Sequence, residues 1–244
     1  MLIAHITDSH IEIPEPAGAG RIADFEKVVA DINQLEEQPD LVIHTGDISH
    51  CDSKAEYRLA QSLLERLHVP CHVIPGNKDS RENMAQIFGL ANGFIQSVID
   101  TPDWQLVLLD TLSDTTSKGA FCAERLQWLK QVLSASQKPL ALFMHHPTYE
   151  MAGNPYPFQF EDYEQADGFE TLVAPYGHVK GIFCGHAHRN TKGMIADIPA
   201  MTLTAMALDR RKGTYPPAMQ GKPVYQLIRF QSNGVFDCQL KVCG

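Results

Sequence analysis

The chain has 244 residues, of which 44% are hydrophobic, and a formal net charge of −9. That length and apolar content supply one sizeable core, and the whole of 1–244 is expected to form a single domain. The acidic balance argues against an extended nucleic-acid surface, which needs clustered Lys and Arg, but leaves room for a small phosphate ester held by local cationic charge.

Leu2–Ile6 reads as a buried strand. Phe25, Val28, Val29, Ile32 and Leu35 recur at helical spacing, which predicts a helix from Asp24 to Glu37 stopped by Pro39. Leu41–Thr45 is the next strand. Ser53-Lys54-Ala55-Glu56 has the form of a capping box, opening a helix with the stripe Tyr57, Ala60, Leu63, Leu64 and Leu67 before Pro70. Cys71–Ile74 returns as strand, and this alternation predicts a largely parallel sheet with helices outside. Leu106–Leu109, a helix over Ala123–Leu133, and strands at Leu140–Met144 and Gly181–Cys184 continue the pattern. The chain then becomes strand-rich, at Met201–Ala205, Val224–Phe230 and Val235–Val242, with Asn233-Gly234 as a hairpin turn.

Two stretches, Thr148–Asp167 and Leu208–Lys222, read as long loops. The first holds Pro155, Pro157 and five aromatics (Tyr149, Tyr156, Phe158, Phe160, Tyr163), and it directly follows a cluster of His, so it is expected to contact substrate. In the second, Arg210 and Arg211 read as a solvated basic loop in preference to an anion contact. Six scattered cysteines (Cys51, Cys71, Cys122, Cys184, Cys238, Cys243) form no C-x-x-C and read as free thiols of a reducing compartment, a Cys238–Cys243 bridge being the one alternative. The apolar start is interrupted by His5 and Asp8, and no run approaches the ~20 residues of a membrane span, so no signal peptide or membrane partner is expected and the cytoplasm is the default.

Polar residues that ligate metals follow five of the apolar runs: Asp8 and His10, Asp47, Asn77, His145 with His146, and His186 with His188. Functional groups in open α/β sheets gather beyond the carboxyl ends of strands, so five such clusters can converge. Oxygen and imidazole donors without thiolate suit two adjacent divalent ions better than one closed structural zinc. Beside these residues Gly46, Gly76 and Gly185 allow close approach of backbone to metal and substrate.

The order Asp8-Ser9-His10, Gly46-Asp47, Gly76-Asn77-Lys78-Asp79, His145, Gly185-His186-Ala187-His188 resembles the calcineurin-like metallophosphoesterases over the span Asp8 to His188. The match looks closest to the bacterial class III branch of cyclic-nucleotide and glycerophosphodiester phosphodiesterases. The resemblance implies a four-layer α/β/β/α sandwich of two stacked mixed sheets flanked by helices, with the strand-rich end in the second sheet. It implies two divalent or trivalent ions, from manganese, iron, zinc or cobalt. Asp8, His10 and His188 would hold one, Asn77, His145 and His186 the other, and Asp47 both, with the attacking hydroxide held between them. Lys78 stands where the family has a His that contacts the phosphate and helps the leaving group depart. An unperturbed Lys, at about 10.4 against about 6.5 for His, is a poorer proton donor but can still act as a charge contact. His146 is open between supporting a ligand, contacting substrate and packing. The expected function is hydrolysis of a small organic phosphodiester. A phosphomonoesterase and a weakly catalytic metal-dependent binding or regulatory protein are the alternatives, the latter favoured only by Lys78. Self-association into a homo-oligomer is left open.

Overall fold

The computed structural model describes residues 1–13 and 17–244. In chain order its elements are β1 (Leu2–Ile6), α1 (Ala17–Asn33), β2 (Leu41–His44), α2 (Lys54–Leu64), β3 (Cys71–Val73), α3 (Arg81–Phe88), β4 (Ser97–Asp100), β5 (Gln105–Leu109) and α4 (Ala123–Ala135). They continue with β6 (Leu140–Met144), α5 (Tyr163–Val173), β7 (Val179–Cys184), β8 (Thr191–Ile195), β9 (Ile198–Thr202), β10 (Val224–Phe230) and β11 (Phe236–Val242).

The strands form two sheets, of order β11-β10-β1-β2-β3 and β4-β5-β6-β7-β9-β8. β1 shows why they stack. Leu2, Ala4 and Ile6 pack on one side with residues of α1 and α2, while Ile3 points into the opposite core. A strand covered on both faces reads as an unbroken apolar run rather than an alternating one. Three cores follow. The middle one joins Ile3, Ile43, Leu106, Phe143, Phe183 and Ile228 between the sheets. A second lies under α1, α2 and α3, and a third under α4 and α5. These layers are the expected α/β/β/α sandwich.

Four details differ from the sequence reading. Both sheets are mixed, as the family resemblance implies and unlike the largely parallel sheet that the strand–helix alternation predicts, because β10 enters antiparallel to β1 and β4 antiparallel to β5. The strand-rich end is divided: β8 and β9 extend the second sheet, but β10 and β11 join the first, where Ile228 and Phe230 enter the middle core. Helix α1 begins earlier than Asp24 and ends at Asn33, since the Gln38 side-chain amide donates to the carbonyls of Ile32, Asn33 and Leu35 and closes the helix there. The long loop after His146 stops at Asp162, whose side chain accepts the Gln165 amide at 2.8 Å and caps α5. The capping box of α2 is present in full. All six cysteines are free.

Candidate metal centre

Five strand ends place the candidate residues together. Asp8 and His10 follow β1, Asp47 follows β2, Asn77 follows β3, His145 and His146 follow β6, and His186 and His188 follow β7. Potential ligand atoms of Asp8, His10, Asp47 and His188 lie within 4.8 Å of one another, as do those of His145, His146 and His186. His186 Nδ1 is 2.9 Å from Asn77 Oδ1. Asp47 stands between the two groups: Oδ2 is 3.5 Å from His10 Nε2 and Oδ1 is 3.5 Å from His145 Nε2.

The donor atoms of each group face one another at close range. His188 Nδ1 donates to the Arg210 carbonyl at 2.8 Å, and His145 Nδ1 to the Thr45 carbonyl at 2.6 Å, so each ring turns its Nε2 inward, where the neutral form offers a lone pair. There His188 Nε2 lies 3.1 Å from His10 Nε2 and 3.1 Å from Asp8 Oδ1. Asp8 Oδ2 is already engaged by the Thr7 hydroxyl and the His186 N–H, whereas Asp8 Oδ1 and His145 Nε2 are buried without a hydrogen-bond partner. Converging buried lone pairs of this kind are what a cation satisfies, and the residues therefore fit a metal pair. Charge in the site is strongly coupled to it. Burial opposes charge on His145, but Asp47 and Asp8 outweigh burial and raise it to about 9. Burial and the neighbouring His145 lower His186 to about 3. Burial, His186 and His145 hold His146 well below the imidazole range.

Backbone geometry also marks the site. Asp8, His10, Asp47, His186 and His188 all have positive φ, between 46° and 65°. Non-glycine residues rarely adopt this region, and each departure costs of order 1–3 kcal/mol, so surrounding structure must impose it. Two glycines make the packing possible. A Cβ on Gly76 would lie 2.3 Å from Asp47 Oδ1, and one on Gly185 would lie 2.0 Å from Thr7 Oγ1.

A family model for calcineurin-like phosphoesterases matches residues 1–190, which contain every one of these residues. The chain belongs to that family. Curated phosphoesterase relatives span nearly all of it. A probable glycerophosphodiester phosphodiesterase GpdQ from Arcobacter nitrofigilis is 30% identical over 245 residues, covering 93% of this chain and 88% of the relative. A 3',5'-cyclic adenosine monophosphate phosphodiesterase CpdA from Vibrio vulnificus is 26% identical over 252 residues, covering 98% and 89%. Among solved structures, a dimetal phosphatase from Danio rerio superposes with a TM-score of 0.71 at 15% identity, covering 99% of this chain and 98% of that one, a likeness of fold.

The phosphoesterase site opens into a cavity of 640 Å³ lined by Asp47, Asn77, His186 and His188 and by the segment Asn154 to Gln159. The aromatic loop therefore borders the site, as its position after His145 suggested. Its Gln159 was not singled out by sequence, yet its Oε1 lies 2.7 Å from His186 Nε2, where it accepts that N–H and leaves Nδ1 facing Asn77. Lys78 donates its backbone N–H to Asp47 Oδ1 at 2.7 Å, while its side chain is exposed. His146 is buried, with Nδ1 2.9 Å from Thr111 Oγ1 and Nε2 unpartnered. Arg211 is a structural residue, donating to the carbonyls of Ala205, Met219 and Lys222.

Two further residues assemble the loops: Asp79, the last residue of the Gly76-Asn77-Lys78-Asp79 motif, and His44, which belongs to no motif. Asp79 accepts from the amides of Ile48, Ser49 and Gly76 and from the Tyr57 hydroxyl. His44 Nδ1 accepts the Gly46 amide at 3.2 Å, which places its proton on Nε2, donated to Ser9 Oγ at 2.9 Å. Burial then lowers His44 from 6.5 to about 3. An unfolded chain takes up this proton below pH 6.5 and the native fold does not, so His44 favours folding fully above pH 6.5 and progressively less down to about pH 3. Urea midpoints of the chelated protein should fall across that window, and His44→Gln should flatten this fall. An unchanged slope in the variant would show that His44 is not among its causes.

Proposed function

We propose that this calcineurin-like phosphoesterase is a dinuclear metal-dependent phosphodiesterase acting on a small organic diester of the glycerophosphodiester or cyclic-nucleotide type. The observation that carries this reading is Asp47, one oxygen of which faces His10 while the other faces His145. In this assignment Asp8, His10 and His188 hold one ion, Asn77, His145 and His186 the second, and Asp47 both. Manganese, iron, zinc and cobalt suit an oxygen and imidazole set. Bound ions supply Lewis-acid polarisation of the phosphoryl group and acidify water. Water adds across one ester P–O bond, giving a monoester and an alcohol that carries the second proton. Lys78, exposed and outside the cavity lining, would contribute charge to the phosphoryl oxygens by turning its side chain toward the site. His146, kept neutral, offers Nε2 as a hydrogen-bonding group beside His145 and His186, whose rings it packs against at 4.7 Å and 4.4 Å. We place the chain in the cytoplasm as a single functional unit. Both sheets contribute to the site, all six thiols are free, and no helix among the described residues is long and apolar enough to cross a membrane.

Hydrolysis of a diester and its matching monoester by the manganese-loaded protein tests the assignment. Preference for the diester is expected. A faster monoester makes the protein a phosphomonoesterase, and bound metal without turnover makes it a binding or regulatory protein, the reading that Lys78 favours. The Lys78 role has its own test. Nitrophenolate esters need no proton on departure, whereas alkoxide esters do. Lys78→His should speed alkoxide esters selectively, towards the roughly 10²–10⁴-fold that general acid catalysis supplies. Lys78→Ala should slow both classes. An unchanged ratio in the His variant removes Lys78 from the reaction.

A further inference from the structure

Beyond the metal-lined cavity lies a second one, of 440 Å³, and the two share Asn154, Arg189 and Lys212. Its remaining lining is neutral, including Asn190, Thr191 and Tyr215, and no acidic residue borders it. Among the described residues neither Arg189 nor Lys212 forms an ion pair, although the chain carries a net charge of −9. The buried Nε of Arg189 lacks a hydrogen-bond partner, and its guanidinium lies 3.2 Å from where a Cβ on Gly213 would stand, beside Lys212 in the chain.

Both cations are also tied to the metal centre. Arg189 directly follows His188, and the Lys212 amide donates to the His188 carbonyl at 3.0 Å. Thr204 and Tyr215 hydroxyls donate to the same carbonyl, at 2.8 Å and 3.0 Å. Two neighbouring cations with unused donors, held at a fixed position from the phosphate site, form a receptor for a second anion.

We propose that Arg189 and Lys212 form a distal-anion subsite, so that the preferred diester carries a second anionic group, phosphate or carboxylate, on the arm that extends beyond the scissile phosphate. This rests on the phosphodiesterase reading and narrows its substrate class. A guanidinium pairs with either anion through two N–H donors, and Lys212 adds a mobile point charge.

The test uses three 4-nitrophenyl phosphodiesters with a propyl arm ending in a hydroxyl, a carboxylate or a phosphate, and the manganese-loaded enzyme. The anionic arms should raise kcat/KM by about 10-fold or more, mainly through KM, since each partly exposed charge pair gives up to about 5-fold. Added salt should shrink the preference. Arg189→Gln and Lys212→Gln should each lower the ratio of anionic-arm to neutral-arm kcat/KM by about 3–5-fold, with Arg189→Lys retaining part of it. Which anionic arm is preferred distinguishes a phosphate from a carboxylate source. Equal kcat/KM on all three arms overturns the subsite, as does a preference that survives both Gln substitutions. Calorimetric binding of the same diesters to the metal-loaded protein reads the subsite without turnover. Tighter binding of anionic arms, lost in Arg189→Gln, sustains it, and equal binding overturns it. Absence of hydrolysis with that binding preference intact refutes the phosphodiesterase reading alone.

Discussion

Asp47→Ala should yield a folded protein that has lost metal and activity together. The carboxylate is shared between the two donor groups and also accepts the Lys78 amide, so no other side chain can take its place. Its own pKa lies well below the carboxylate range: burial works to raise it, but His145 and His10 outweigh burial. The negative charge it brings is a large part of what attracts cations. Activity should fall at least about 10³-fold, equivalent to roughly 4 kcal/mol of lost transition-state stabilisation. In chelator the variant should fold with reduced stability, since it gives up the attraction of His145 and His10 that holds Asp47 ionised, offset in part by relief of the repulsion between Asp47 and both Asp8 and Asp79. Elemental analysis beside diester hydrolysis checks this. A variant that keeps two equivalents of metal would show that Asp47 does not join the sites.

Asp79→Ala should be the most damaging single change outside the donor residues. One buried carboxylate satisfies the amides of Ile48, Ser49 and Gly76 at 2.8–3.2 Å and the Tyr57 hydroxyl at 3.0 Å. Truncation leaves these donors buried and unpaired, at about 1–3 kcal/mol each, and an overall loss of about 3–5 kcal/mol is expected after relaxation. The same bonds join the loop carrying Asp47 to the loop carrying Asn77. Metal affinity should therefore drop by about 10–100-fold, as it does when groups supporting a ligand are removed. Asp79→Asn should fall between, because its NH₂ would confront one backbone N–H. Urea unfolding and metal titration read the two effects separately, and wild-type values in the Ala variant would refute both.

The donor residues were legible because each follows a short apolar run, and an apolar run covered on both faces is a buried strand. Five strand ends in one sandwich leave their next residues little choice but to meet. Sheet membership was not legible in the same way. β10 pairs with β1 across more than two hundred residues, as Leu2 with Arg229, and no local pattern encodes that partner. Helix α3 has little sequence signature although Ser80 caps its start and Gly89, at φ 68°, its end, because eight residues give too short a periodic run. Asp162 and Glu164 fall inside the stretch Thr148–Asp167 that reads as a loop, yet they are the cap and first turn of α5. Gln159 and His44 act through one or two hydrogen bonds set by folding, and neither residue type carries a motif. Arg210 and Arg211 are the most conspicuous basic residues of the Leu208–Lys222 stretch. The guanidinium of Arg211 turns inward to carbonyls, while the cations reaching the cavity are Lys118, Arg189 and Lys212.

Each donor group draws on both sheets. Asp8, His10 and Asp47 come from strands of one and His188 from the other, and Asn77 is likewise opposed to His145 and His186. An ion seated there would act as a reversible cross-link between the two sheets at their strand ends. Its strength follows mass action: free metal at one hundred times its dissociation constant adds about 2.7 kcal/mol per site to the native state. A chelator would then act on this chain much as a reductant acts on a disulfide-bonded one, and the supply of metal in the cell would set the lifetime of the protein as well as its rate.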